Sequence, residues 1–259
     1  MTRAVIKAVG LTAPGLPGWA ASQPVLSGAA SYVATAETPY APSLLPPNER
    51  RRATPSVRLA FRAAEDAVSN GTNARELASV FASSDADMAV LHRICAALAQ
   101  KPRIISPTDF HNSVHNAASG YWSIGVGSTR PTTTISAYDA SFTAGLIEAV
   151  ALARDRDSDV LLVAYDATAP QPLAAKRPLA LSAGVALIVA PESAGGMSAI
   201  TIELAGDAET RCADASLESL RAGNPALRAL PLLELLAARR TGRVVLRGTG
   251  GLHVTVTLG

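Results

Sequence analysis

His111 and His115 stand four positions apart, a spacing that puts two side chains on one face of a helix. Paired imidazoles so placed can begin a zinc site. No Glu follows the first histidine as in a metalloprotease helix, and Asp109 is the only obvious further ligand nearby, so the set is short and a structural or interface role is the better reading. Asp139 is the other candidate, a carboxylate that could share acid–base work with His111 or His115. Ser83-Ser84-Asp85 lacks a nucleophile elbow and a partnered histidine, and reads as a helix cap. Gly248-Thr249-Gly250-Gly251 lacks the Lys and the helix of a phosphate loop, and reads as a tight turn. Cys95 and Cys212 lie far apart outside any C-x-x-C context, so neither a disulfide nor a zinc site is expected.

These residues need a scaffold, and the composition says what kind. Of 259 residues, 48% are hydrophobic, 17% charged and only 4% aromatic. Ala, Val and Leu therefore do most of the filling, which suggests close helix–sheet packing rather than a roomy aromatic-lined pocket. The length fits one domain, residues 1–259. A net charge of +2 gives no reason to invoke nucleic acid, and Arg50-Arg51-Arg52 beside Glu49 reads as a solvated helix approach. No signal-peptide core or membrane-length apolar run is present, so a cytoplasmic protein is expected.

Ala4–Val9 reads as a first strand, closed by the turn residues Pro14–Gly18, and residues 19–53 as an irregular excursion. Thr54 as cap and Pro55 at the first helical position start a helix whose Val57, Ala60, Phe61, Ala64 and Val68 share a buried face. Leu77–Phe81 is a strand. Ser84-Asp85 then caps a helix bearing Met88, Leu91, Cys95 and Leu98, and a further helix lies around Ser113–Gly120. Thr132–Tyr138 alternates like a strand and leads into Ala140–Ala153, a helix apolar on nearly every side and expected to be buried all round. Val160–Ala164 and Val185–Val189 are continuous apolar runs, the mark of central strands covered on both faces. Strands at Ala199–Leu204, Val244–Leu246 and Leu252–Leu258, with a helix over 226–240, complete a layered α/β/α domain.

The stretch from Ile105-Ser106-Pro107 through Asn116 and Gly120 to Ile135-Ser136-Ala137-Tyr138-Asp139-Ala140-Ser141 resembles the N-terminal half of the β-ketoacyl synthases. In that family an I-S-P turn precedes an Asn-bearing helix, a Gly, and a strand ending in the cysteine of a T-A-C-x-S turn. Pro107, Asn116, Gly120, Ile124, Gly127, Pro131 and Ser141 fall where the family has those residue types. The likeness extends more weakly to Val5–Gly10, Arg51–Val68, Asp159–Val163 and Gly184–Val189, with an echo in the Arg247–Gly251 turn. It implies a thiolase-like fold, essentially one ketosynthase half with a short closing hairpin at the C-terminal end.

Two departures carry the functional expectation. Asp139 stands at the position of the nucleophilic cysteine, and the half that supplies two catalytic histidines is largely missing. Beyond Asp139 the only histidine is His253, on the alternating closing strand. The resemblance therefore implies a non-catalytic, chain-length-factor-type subunit, most like those beside ketosynthases in aryl polyene pathways. It would form a heterodimer with a full-length β-ketoacyl-ACP synthase, work with an acyl carrier protein, and need no cofactor. Asp109, Phe110, His111, Val114, His115 and Asn116 would lie at the interface and acyl tunnel, with Phe110 and Val114 as its floor or wall. Tyr138 would fill the space a substrate would otherwise occupy. The alternative, a hydrolase or acyltransferase, uses Asp139 with His111 or His115.

Overall fold

A computed structural model describes residues 2–259. The chain runs β1 (Thr2–Thr12), α1 (Trp19–Leu26), α2 (Pro47–Arg52), α3 (Pro55–Val68), β2 (Ala78–Ala82), α4 (Met88–Leu98), α5 (Pro107–Asn112), α6 (Ala117–Val126), β3 (Thr132–Ile135) and α7 (Ser141–Arg156). It continues with β4 (Val160–Asp166), β5 (Ala183–Pro191), β6 (Ser198–Ala205), α8 (Ala215–Gly223), α9 (Leu230–Ala237), β7 (Gly242–Leu246) and β8 (His253–Leu258). The strands form one mixed sheet in the order β3-β2-β4-β5-β1-β6-β8-β7. β3, β2 and β4 are mutually parallel, and every other neighbouring pair is antiparallel.

The periodicities account for this layering. Every residue of β4, and all but the last of β5, is buried, as continuous apolar runs covered on both faces require. One face packs on α3 and α6, whose Phe61 and Trp122 meet edge-to-face at 5.2 Å. The other packs on α7, α8, α9 and α1. Thr54 caps α3 as its sequence suggests, its Oγ1 accepting from the Val57 amide at 3.3 Å, with Pro55 opening the helix. α3 lies so close to β1 that a Cβ on Gly10 would stand 2.0 Å from the Ala63 carbonyl oxygen.

Several expectations are corrected. Residues 19–53 contain α1 and α2. Pro24 inside α1 hides a helix whose Trp19, Ser22 and Leu26 are buried, at positions that share one helical face. The helix around Ser113–Gly120 is instead two short ones, α5 and α6, broken at residues 113–116. The helix over 226–240 is a 3-10 turn, Ala226–Ala229, followed by α9, and α8 precedes it. The strand from Thr132 stops at Ile135, and residues 138–140 form a 3-10 turn. α7 is not buried all round, because Ile147 and Ala151 are exposed on its outer side. α4 is capped by Asp87, whose Oδ1 accepts from Val90 N–H at 3.0 Å, and not by Ser84-Asp85. Its apolar stripe of Leu91, Cys95 and Leu98 faces outward, and Val90 alone is fully buried.

Gly10→Ala is expected to push α3 off the sheet and destabilise the fold by about 1–3 kcal/mol or more, since a backbone carbonyl cannot move aside cheaply. Urea unfolding measures it, and an unchanged midpoint would show that the helix has room to spare.

Candidate functional site

In a twisted sheet with parallel strands, the carboxyl ends of those strands are where loops can converge on a ligand. Here the ends of β2, β3 and β4 lie side by side. β2 delivers Ser83, Ser84 and Asp85, β3 leads to Tyr138 and Asp139, and β4 ends on Asp166. The connection from β4 to β5 then folds back and inserts Arg177.

Arg177 organises the site. Its side chain is only 11% exposed; Nε donates to Asp85 Oδ2 at 2.7 Å and Nη1 pairs with Asp139 Oδ1 at 2.8 Å. Its guanidinium carbon sits 3.7 Å from the centroid of the Tyr138 ring, a cation–π stack. Burial opposes the charge, but the hydrogen bonds that the guanidinium donates to Asp85 and Asp139, with their negative charge, outweigh it and hold the arginine above its ordinary pKa. Asp139 thus has a buried cation as its partner. Tyr138 has φ +53°, a left-handed backbone that a bulky residue adopts only when its surroundings impose it, at a cost of about 1–3 kcal/mol. Ser141 closes the turn: its Oγ accepts from Ala137 N–H at 3.0 Å and donates to the Tyr138 carbonyl at 2.7 Å.

Beneath the ion pairs lies Asp166, fully buried. Its Oδ1 accepts from Ser84 N–H at 2.7 Å and from Ser83 Oγ–H at 3.1 Å. Ser84 Oγ stands 2.7 Å from that same oxygen and 2.8 Å from Asp85 Oδ2. One hydroxyl has one proton to give, so two ionised carboxylates would leave one of these contacts unbonded. Burial resolves this, pushing the Asp166 carboxyl up to about 7 against the opposing pull of the serine hydrogen bonds. A proton on Asp166 completes the chain to Ser84 and on to Asp85.

The other sequence-derived residues are placed elsewhere. Asp109 Oδ1 accepts from Arg93, Nε at 3.0 Å and Nη2 at 2.7 Å, which ties α5 to α4. His111 packs edge-on against Tyr121, and His115 lies in the turn after α5, so the two do not share a helical face. Among the described residues no group of three or more metal-binding side chains converges. Neither histidine hydrogen-bonds Asp139 among the described residues, and the pairing needed for a hydrolase or acyltransferase is not formed. Asn116 is exposed at the head of α6, its carbonyl accepting from Ser119 Oγ–H at 3.0 Å. Phe110 is 70% exposed and Val114 is also exposed. The void that Val114 and His115 line with Asp87 and Asn112 holds about 10 Å³, room for a single water at most. Tyr138 does not fill an interior space; at 58% exposure it lies as a lid over Arg177. His253 Nδ1 accepts from Gly248 N–H at 3.2 Å and pins the closing turn.

Sequence reasoning missed Arg177 and Asp166. Arg177 sits in a loop without local pattern. Asp166 had a signal, a carboxylate at the end of an apolar central strand. Ser84 and Asp85 were assigned to a cap and belong to the site.

The eight-stranded sheet with helices on both faces and a turn leading from strand end to buried helix is the thiolase-like architecture. The sequence profile described as β-ketoacyl synthase, N-terminal domain, matches residues 20–244, and the chain belongs to that family. Among solved structures it is similar to a chain of the Xenorhabdus doucetiae complex of the ketosynthase ApeO with its chain length factor ApeC, with TM-score 0.74, 22% identity and 99% of each chain covered. It is similar to a chain of the ishigamide ketosynthase/chain length factor at TM-score 0.76 and 14% identity, covering 100% of this chain and 99% of that one. A chain of the AntDE:AntF complex, a type II polyketide synthase acyl-carrier protein with its ketosynthase, gives TM-score 0.75 at 12% identity, with 100% and 99% covered. A search of curated proteins returns no match.

Asp166 makes stability depend on pH. With its folded pKa near 7 and an unfolded value of about 4, the native state keeps a proton that the unfolded chain has released between those values. Stability is therefore expected to fall as pH rises from about 4 to about 7 and to level off above, by about 2–3 kcal/mol between pH 5 and pH 8. Asp166→Asn, which mimics the protonated acid, should flatten that slope in urea titrations at the two pH values; an unchanged slope would show that Asp166 is ionised throughout.

Proposed function

We propose that this chain is a non-catalytic, chain-length-factor-type partner of a full-length β-ketoacyl-ACP synthase. In this reading it shapes the tunnel in which a carrier-bound acyl chain grows, in aryl polyene-type biosynthesis. The observation that carries it is the state of Asp139: where the family places a thiol, there is a carboxylate ion-paired with buried Arg177. A condensing enzyme needs a thiolate to hold the acyl group and donors to stabilise an enolate. Attack by Asp139 on a thioester would give an anhydride that water destroys, and its charge would oppose a malonyl carboxylate.

The outward apolar surface supports the pairing. Leu91, Cys95 and Leu98 on α4, at i, i+4 and i+7, form a stripe of the kind that normally faces a core. Ile104, Phe110 and Val114 add exposed apolar side chains on the next segment, and Arg93 with Asp109 clamps α4 to α5. β3, at the rim of the sheet, is paired on one side only. Patches of this kind mark interfaces, and the similar solved chains come from ketosynthase complexes. Acyl-tunnel contacts would then form at Phe110 and Val114 between the two subunits, because the void that Val114 lines within this chain is too small for an acyl group.

Co-expressed with its ketosynthase, the chain should elute as a stable heterodimer burying more than roughly 2,000 Å² in total; a well-behaved monomer that ignores the ketosynthase on a sizing column would count against the proposal. Intact-mass spectrometry should show no acyl adduct after exposure to acyl carrier protein substrates, and Asp139→Cys alone should not restore condensation. A covalent adduct on the native chain would overturn the silent-subunit reading. Phe110→Ala separates tunnel from packing. If the ring is the stop, products lengthen while the heterodimer stays intact; if it only packs, the heterodimer weakens by up to ~3–5 kcal/mol with product length unchanged.

A further inference from the structure

Tyr138 combines three properties that seldom coincide. Its backbone is left-handed, its ring is mostly exposed, and a nearly buried cation lies against one ring face. An exposed tyrosine in a turn ordinarily moves among rotamers. Here the inner ring face is held by the Arg177 guanidinium, which is itself fixed by Asp85 from the loop after β2 and by Asp139 from the residue next to Tyr138. Three separate connections therefore converge to hold one ring, with its outer face free.

We infer that Arg177 is a positioning residue that presents the Tyr138 ring as a preorganised anchor for the docked ketosynthase. This rests on the partner reading above and adds a specific contact to it. A fixed aromatic gives contact area without losing rotamer freedom on docking, which is why tyrosines carry a large share of interface energy. The matching surface on the partner is apolar or thioether-bearing, because the outer face of a ring backed by a cation is depleted of negative charge and disfavours a second cation. Lysine cannot replace Arg177 in this role. Its point charge can pair with one carboxylate but cannot span Asp85 and Asp139 while lying flat under a ring.

The test is a double-mutant cycle on the assembled pair, reading ketosynthase affinity by biolayer interferometry for wild type, Tyr138→Ala, Arg177→Lys and the double variant. Tyr138→Ala and Arg177→Lys should each weaken binding about tenfold or more, and Arg177→Lys should have less than about a twofold effect once Tyr138 is absent. Tyr138→Phe should bind like wild type. If Arg177→Lys unfolds the chain, Asp139→Asn, which removes one of the contacts that fix the guanidinium, takes its place in the cycle and must show the same coupling. Additive losses, or wild-type affinity for Tyr138→Ala, would overturn the inference while leaving the heterodimer intact. A wild-type chain that does not bind the ketosynthase at all would instead overturn the partner reading on which the inference rests.

Discussion

A guanidinium taken almost wholly out of water has to find anions, and that requirement shapes the site around Arg177. Removing such a charge from solvent is unfavourable by several kcal/mol unless partners with good geometry replace the water. Asp85 and Asp139 do so from two different loops, and Tyr138 covers the flat face between them. The sheet order β3-β2-β4 makes the arrangement possible by placing the carboxyl ends of three parallel strands next to one another. At the strand ends where an α/β fold of this kind offers a ligand its place, Arg177 and its two carboxylates are paired with one another.

The same constraint explains why a carboxylate is at home at Asp139, the position at which the resemblance would put the family's cysteine. The turn that carries Asp139 runs straight into α7, whose N-terminal dipole favours negative charge by roughly 0.3–1 kcal/mol. That field would lower the pKa of a thiol and make it reactive. For an aspartate it merely adds to the ion pair with Arg177. On the proposed non-catalytic reading, the ion pair with Arg177 occupies the charge that a substrate would otherwise meet.

How much of this was legible depended on whether the signal was local. β4 and β5 announced themselves as unbroken apolar runs, and Thr54-Pro55 fixed the start of α3, because strand burial and helix capping are written within a few residues. The break between α5 and α6 at residues 113–116 went unseen, since Ser, Val, His and Asn there are compatible with helix and tertiary contacts decide. α4 differs: its helical periodicity is legible in the sequence and the direction of its apolar stripe is not. A stripe at i, i+4 and i+7 says that something apolar covers it and is silent on whether the cover belongs to the same chain. Arg177 was invisible for the opposite reason. Its partners lie 92 and 38 positions away (177 − 85 and 177 − 139), and no local pattern marks a loop arginine as buried.

Closing the site and opening the flank follow from one economy of packing. The two cores are filled largely by Ala, Val and Leu, and the void beside Val114 and His115 holds no more than about one water. Among the large side chains left exposed are Leu91 and Leu98 on α4, Phe110 on α5, Val114 just after it, and Tyr138. In the proposed pairing, a closely packed body with apolar side chains on its surface would determine the shape of a space that a second subunit leaves open. Its influence is then set by side-chain volume at the shared boundary and by how firmly each side chain is held there, which is why the buried arginine beneath Tyr138 matters more than any ionisable group facing solvent.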